Sequence, residues 1–245
     1  MIGDALYIAA RAPRPGFTKS RLGRAIGHRQ ATTLYAAFLR DLATRFTQVP
    51  FSVGWYVTPE DAWPELAPLV EQAGRRGAVI PQGPGDWTSR QRALFAGASQ
   101  RGEQRTVLIA SDSPHLEVDI VAEAFARLAD HDLVLGPTTD GGYYLIGMQT
   151  GRTGAARQPW DVLDGVQMST GTVLDDLRAR AEGLGLEVGL LPETFDIDEV
   201  QDLDQLTPLA LRRPDLSSTR SALLGLGLVA SHEATAARLA AGGRR

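Results

Sequence analysis

Short apolar runs along this chain alternate with longer segments in which apolar residues recur at helical spacing, the pattern of a layered α/β domain. The stretch from Ala5 to Leu22 (ALYIAARAPRPGFTKSRL) starts apolar, turns abruptly to Arg, Pro and Gly, and then presents Lys19, Ser20 and Arg21. It predicts a buried first strand, a stiff cationic loop and the start of a helix. His28 to Phe46 carries Leu34, Ala37, Phe38, Leu42 and Phe46 on one helical face. Phe51 to Val57 reads as a second strand stopped by Thr58-Pro59, Asp61 to Ala73 as a helix containing Pro64 and Pro68, and Ala78 to Ile80 as a short third strand. After the loop PQGPGDW, a helix is predicted from Ser89 through Ala98.

Thr106 to Ala110 is β-branched, apolar and short, the mark of a parallel strand buried on both faces. A helix from Val118 to Leu128 and a strand from Asp132 to Leu135 follow, and then Asp140-Gly141-Gly142 separates that strand from Tyr143 to Ile146, a strong hairpin signal. Gly147 to Trp160 is polar and glycine-rich and predicts a mobile surface loop. Thr170 to Glu182 reads as a helix, Leu186 to Leu191 as a last strand and Glu199 to Leu206 as a helix. From Leu209 onward the sequence is rich in Ala, Arg and Leu. We expect one domain over residues 1–208 and a helical extension of it over 209–245, with a Leu/Ala-rich face that could meet a second copy.

Composition narrows the functional classes. With 245 residues and a net charge of −4, the chain has no global basic footprint for nucleic acid, so the basic cluster between Arg11 and Arg24 is the informative feature. There is no cysteine, which excludes disulfide and thiolate chemistry and suits a reducing cytoplasm. No apolar run approaches the ~20 residues of a membrane span, and no signal peptide is recognisable at the N-terminus. The four histidines are scattered without a zinc-ligand pair and read as surface or capping residues, and Ser111, Ser113 and Ser169 lack a nucleophile elbow.

Candidate chemistry gathers at predicted strand ends. In an open α/β sheet, ligands bind beyond the carboxyl edge of the strands. Arg11, Lys19 and Arg21 fall there, beside a helix start, and suit an anion such as a phosphate chain. The competing reading makes Arg11 and Arg21 solvated charges and Thr18 or Ser20 a helix cap. Gly16 is separated from Lys19-Ser20 by two residues and the earlier Gly is missing, so the Walker A pattern is not met. Gly83 and Gly85 would let backbone approach a ligand closely, or simply form a strand-to-helix turn. Asp112 follows the Thr106–Ala110 strand. It is either a turn-forming residue before Pro114 or a ligand for Mg²⁺, an ion held by one or two carboxylates plus phosphate oxygens and water. Asp196 and Asp198 lie two apart and, in extended backbone, point to one side, where a divalent cation would relieve their repulsion; one of them is also expected to cap the helix near Glu199. Tyr143 could stack on or hydrogen-bond a sugar or acceptor.

Taken in order, Arg11-Ala12-Pro13-Arg14-Pro15-Gly16-Phe17-Thr18-Lys19-Ser20-Arg21-Leu22, Gln82-Gly83-Pro84-Gly85-Asp86, Ser111-Asp112-Ser113-Pro114, Thr139 through Gly147 and Asp196-Ile197-Asp198 with Asp202-Leu203 resemble the GT-A-like glycosyltransferases assigned to arsenosugar biosynthesis, within the nucleotide-diphospho-sugar transferase superfamily. The first and last motifs also resemble 2-phospho-L-lactate and molybdenum-cofactor guanylyltransferases. The resemblance covers about the first 200 residues. It implies a Rossmann-like GT-A fold, a mostly parallel mixed sheet with helices on both faces. It also implies nucleotide contacts at Arg11, Gly16, Lys19, Arg21, Gly83, Gly85 and Asp86, and Mg²⁺ or Mn²⁺ on Asp112, Asp196 and Asp198. Acceptor or sugar contacts would fall at Asp140, Gly141, Gly142 and Tyr143, and the catalytic pair would be Lys19 and Asp112. Two departures, Thr88 for glycine and Met168 for tryptophan, touch the substrate pocket. The activity so implied is glycosyl transfer from a nucleotide sugar to a small acceptor. Nucleotidyl transfer with pyrophosphate release and non-catalytic nucleotide binding are the alternatives.

Overall fold

The computed structural model describes residues 3–71, 78–152, 158–168 and 170–229. The strands are β1 (Asp4–Arg11), β2 (Ser52–Thr58), β3 (Val79–Pro81), β4 (Arg105–Ala110), β5 (Leu133–Pro137), β6 (Tyr143–Gln149) and β7 (Val188–Leu190). The helices are α1 (Ser20–Ile26), α2 (His28–Arg45), α3 (Trp63–Val70), α4 (Trp87–Gln100), α5 (Val118–Arg127), α6 (Val173–Leu184), α7 (Leu203–Arg212) and α8 (Ser217–Gly225). The strands form one seven-stranded sheet in the order β3-β2-β1-β4-β6-β5-β7. Pairings are parallel except at β6, which runs antiparallel to both β4 and β5. This is the mostly parallel mixed sheet, with helices on both faces, that the family resemblance implies.

Side-chain alternation explains the layering. Along β1, Leu6, Ile8 and Ala10 enter a core built with α2, α3, α5, α7 and α8. Ala5 and Tyr7 enter the opposite core, built with α4, α6 and the turn Pro159–Leu163. Successive strand residues point to opposite faces, so a strand covered on both sides must be apolar throughout. Truncating a fully buried member such as Phe38 to Ala should cost about 3–5 kcal/mol.

Several predicted boundaries move for identifiable reasons. The loop predicted over Gly147 to Trp160 begins later, because β6 continues through Gln149. Gly147 lies inside the core, where a Cβ would stand 3.1 Å from both Leu128 Cδ1 and Val107 Cγ2, so its glycine answers crowding rather than flexibility. The end of the predicted helix at Ala73, part of that loop (153–157), Ser169, His232 and the tail from Ala230 lie outside the described residues. α8 is anchored by Asp41 on α2. Its carboxylate, 2% exposed, accepts from Ser218 N (2.9 Å) and Thr219 N (2.8 Å). Among the described residues, no helix is long and apolar enough to cross a membrane.

Candidate active site

The carboxyl ends of β1, β3 and β4 and the turn before β6 open into one cavity of about 750 Å³, within the usual range for a ligand pocket. Arg11, Lys19, Arg21, Gly85, Asp86, Asp112, Asp140, Gly142, Tyr143, Asp196 and Asp198 all line it. Residues as far apart in sequence as the first loop and the segment after β7 therefore meet in one place. The chain arranges this by returning Ile197 N to Asp112 O at 3.0 Å, which lays the Asp196–Asp198 segment against the loop after β4.

Lys19 is the centre of the arrangement. It occupies the residue before α1 in a left-handed conformation (φ 51°), so neither Thr18 nor Ser20 caps that helix. Thr18 Oγ1 instead donates to Ala12 O at 2.6 Å. The Lys19 side chain is only 6% exposed, and its ammonium donates to Asp112 Oδ2 at 3.0 Å and Asp198 Oδ1 at 2.8 Å. Burial alone would lower its pKa, but the two carboxylates more than offset this and the net shift is upward. Burial likewise pushes Asp198 up, yet its contacts with Lys19 and the charges of Arg21 and Arg11 hold it below the ordinary carboxylate value.

Asp196 behaves in the opposite way. Burial, followed by the charges of Asp112, Asp198 and Asp140, raises its pKa to about 7. One oxygen from each of Asp112, Asp196 and Asp198 lies within 4.8 Å of the others. Asp112 Oδ1 is buried and has no hydrogen-bond partner among the described residues. The acids therefore converge as predicted, but neither Asp196 nor Asp198 caps the following helical turn. Glu199 is its N-cap, in a capping box with Asp202, whose carboxylate accepts from Glu199 N (2.6 Å) and also from Asp198 N (2.8 Å).

Other predicted residues have structural tasks that their spacing did not show. Gly16, Gly83 and Gly141 are not among the cavity-lining residues. Gly16 and Gly83 are exposed, and a Cβ at either would meet nothing. Gly141 (φ 86°) packs so closely on the Gly171 carbonyl that no side chain fits. Asp86 caps α4 by accepting from Ser89 N at 2.8 Å, and Asp140 holds its own turn through Thr138 Oγ1 (2.6 Å) and Gly142 N (3.0 Å). Tyr143 OH is paired with the Gln91 side-chain amide at 2.7–2.8 Å. Thr88 is buried against Val166 O (3.1 Å) and is not a cavity-lining residue, whereas Met168 lines the cavity with its sulfur 3.7 Å from Tyr143 OH.

The sequence reading missed Tyr35, Arg90 and His115. The Tyr35 hydroxyl accepts from Arg11 N (2.9 Å) and shares a hydrogen bond with Ser111 Oγ (2.8 Å), tying the β1 end to the β4 end. The signal was a polar tip on an aromatic within an apolar helix face, since buried tyrosines need partners. Arg90 lines the cavity with a buried Nε that no described residue pairs. His115 is buried rather than superficial, stacked on Phe195 at 4.1 Å with Nε2 3.0 Å from Thr194 Oγ1. Ser113 Oγ donates to Phe195 O at 3.1 Å beside it.

The fold is an α/β architecture like that of nucleotide-diphospho-sugar transferase structures. The chain is 27% identical to a provisionally named nucleotide-diphospho-sugar transferase from Desulfovibrio desulfuricans G20, with a TM-score of 0.81 over 94% of this chain and 97% of that one. It shares the fold, at 13% identity and TM-score 0.52, with a cytidylyltransferase from Leptospira borgpetersenii serovar Hardjo-bovis, over 95% of this chain and 96% of that one. It also shares the fold, at 14% identity and TM-score 0.50, with CMP:2-keto-3-deoxy-manno-octonic acid synthetase complexed with CTP, over 85% of this chain and 98% of that one. The chain belongs to the family DUF2064, described as "Uncharacterized protein conserved in bacteria", whose model matches residues 42–170. No curated protein matches the sequence.

Proposed function

We propose that the protein is a metal-dependent transferase that uses a nucleotide donor and moves a glycosyl group from a nucleotide-diphospho-sugar to a small-molecule acceptor. One observation carries the reading: Lys19 and the carboxylates of Asp112, Asp196 and Asp198 meet at the mouth of a cavity at the carboxyl edge of the sheet. The likeness over nearly the full length to the Desulfovibrio protein supports it.

In this reading Arg11, Lys19 and Arg21 bind the donor phosphates. Asp140, Gly142, Tyr143 and Met168 also line the cavity, and the acceptor or sugar sits against them. The acids fit a divalent cation: their oxygens are close together and Asp112 Oδ1 is buried without a partner. Asp112, Asp196 and Asp198 would hold Mg²⁺ or Mn²⁺, which when bound supplies Lewis-acid neutralisation of phosphate oxygens. Lys19 and Arg21 add fixed positive charge where the leaving group develops negative charge, in a partly desolvated site where such charges act strongly.

The dense charge around Lys19 also suits nucleotidyl transfer from a nucleoside triphosphate. Incubating the purified protein with nucleotide sugars and with nucleoside triphosphates, each with Mn²⁺, separates the two. Release of nucleoside diphosphate is expected, release of pyrophosphate would favour the second reading, and nucleotide binding without either product would reject both.

A further inference from the structure

The cation that holds the acidic cluster together in this structure is part of the chain. Lys19 Nζ lies 3.0 Å from Asp112 Oδ2 and 2.8 Å from Asp198 Oδ1. Those two carboxylates, with Asp196, are the groups whose oxygens converge within 4.8 Å. Arg21 is a weaker neighbour, with NH1 3.7 Å from Asp198 Oδ2 and a side chain 58% exposed. Among the described residues, only the Lys19 ammonium is both buried and in direct contact with two of the three acids.

A divalent cation binds carboxylate oxygens at about 2.0–2.1 Å for Mg²⁺ and demands near-octahedral geometry. Asp112 Oδ1 is free to begin that coordination, but an ammonium and a divalent ion held by the same two carboxylates repel each other strongly. We infer that Lys19 is an exchangeable internal cation. It holds Asp112 and Asp198 in place until a divalent ion takes them over, and its released ammonium then turns to the donor phosphates. This inference rests on the nucleotide-donor reading for the second half of the exchange alone. Antagonism between two ligands of one site is reciprocal, as is the synergy it creates with a third that captures the displaced group. Metal alone therefore binds weakly, and metal and donor bind cooperatively.

The test uses the full-length protein and Mn²⁺ alone, titrated by electron paramagnetic resonance without nucleotide. Lys19→Met keeps the aliphatic stem, removes the ammonium and should tighten Mn²⁺ binding by about tenfold or more. Arg21→Met removes a charge of the same sign that does not grip two acids, and should leave the affinity near wild type. Adding Asp112→Asn to Lys19→Met should abolish the gain. Unchanged or weaker binding by Lys19→Met, an equal gain in Arg21→Met, or a gain that survives Asp112→Asn each overturns the exchange. A measurement on the unaltered protein guards against misfolded variants. The ¹⁵Nζ resonance of the buried lysine should be shielded from solvent exchange without metal and should shift or vanish as Mg²⁺ is added; a resonance that never moves also overturns it. Tight Mn²⁺ binding by Lys19→Met, with no turnover of any donor by the unaltered protein, would reject the transferase reading and keep the exchange. Turnover by the unaltered protein, with Mn²⁺ affinity unchanged in Lys19→Met, would do the reverse.

Discussion

The two ends of the sheet bury carboxylates in different ways. At the amino end, Glu103 is 4% exposed and fully engaged. It accepts from Tyr7 OH at 2.6 Å, Arg101 Nε at 2.8 Å and Thr106 Oγ1 at 3.2 Å. At the carboxyl end, Asp112, Asp196 and Asp198 crowd together around a single ammonium; one Asp112 oxygen lacks a partner, and Asp196 is pushed to about neutral pH. Burial does not explain the contrast, because the carboxyl-end acids are the more accessible, with Asp112 and Asp198 side chains 27% and 43% exposed against 5% for Glu103, yet they are the ones left opposed. The amino end supplies each acid with donors, as a region selected for stability should. The carboxyl end leaves like charges opposed, a cost that folding alone gives no reason to bear and that a ligand can relieve.

The sharpest way to break this contrast is to remove one acid from each end and read both activity and stability. Asp112→Ala should lower turnover about a thousandfold, equivalent to about 4 kcal/mol of barrier, while the protein remains folded. Steady-state kinetics on the active donor checks it, and near-normal turnover would place the chemistry elsewhere. Glu103→Ala should do the converse. It strands the Arg101 guanidinium and Tyr7 and should cost about 3 kcal/mol of unfolding free energy in urea, leaving KM unchanged.

Acid sensitivity provides the next test. His115 is held down to about pKa 4 by burial and then by the positive charges of Arg213 and Arg45. Between pH 6.5 and about 4 the unfolded chain takes up a proton that the folded chain refuses, so stability falls as pH falls through that window. His115→Gln should remove about 2 kcal/mol of that loss, measured as a flatter dependence of melting free energy on pH. Asp196 has the opposite sign. Its folded pKa lies above the unfolded value, so its penalty is absent below about pH 4, grows as pH rises to about 7 and is constant above that. In metal-free buffer Asp196→Asn should therefore be more stable than wild type by about 1 kcal/mol near pH 8, a figure discounted because the group is partly solvated, and equal to it near pH 3.5. A variant less stable at pH 8 would mean that Asp196 has donors the structure does not show.

Much of this was legible from periodicity. The β-branched run from Thr106, the helical face from Leu34 to Phe46 and the Asp-Gly-Gly turn each appear within a residue or two of the predicted place. Strand-end position singled out Asp112 and two-residue spacing paired Asp196 with Asp198, but that the three meet was implied by the family resemblance. What periodicity could not show was how side chains divide their labour. The cap position falls to Glu199, boxed with Asp202, while the Asp198 carboxylate accepts from Lys19, 179 residues away. Glycine is equally ambiguous from sequence: Gly83 lies in an exposed loop with open space around it, whereas Gly141 and Gly147 mark places where another part of the chain presses in. Tyr35 and His115 were overlooked because their partners are distant in sequence, and a local pattern shows an aromatic without its hydrogen bonds.

Asp41 sets a limit on how this protein can be shortened. Genetic trimming or limited proteolysis that deleted α8 would strip two amide donors from an anion with almost no access to water and leave α2 carrying an orphaned charge on its inner side. The last described helix is thus a keystone of the Rossmann-like body, and a catalytic fragment ending before Ser217 should be recoverable only if Asp41 is neutralised at the same time.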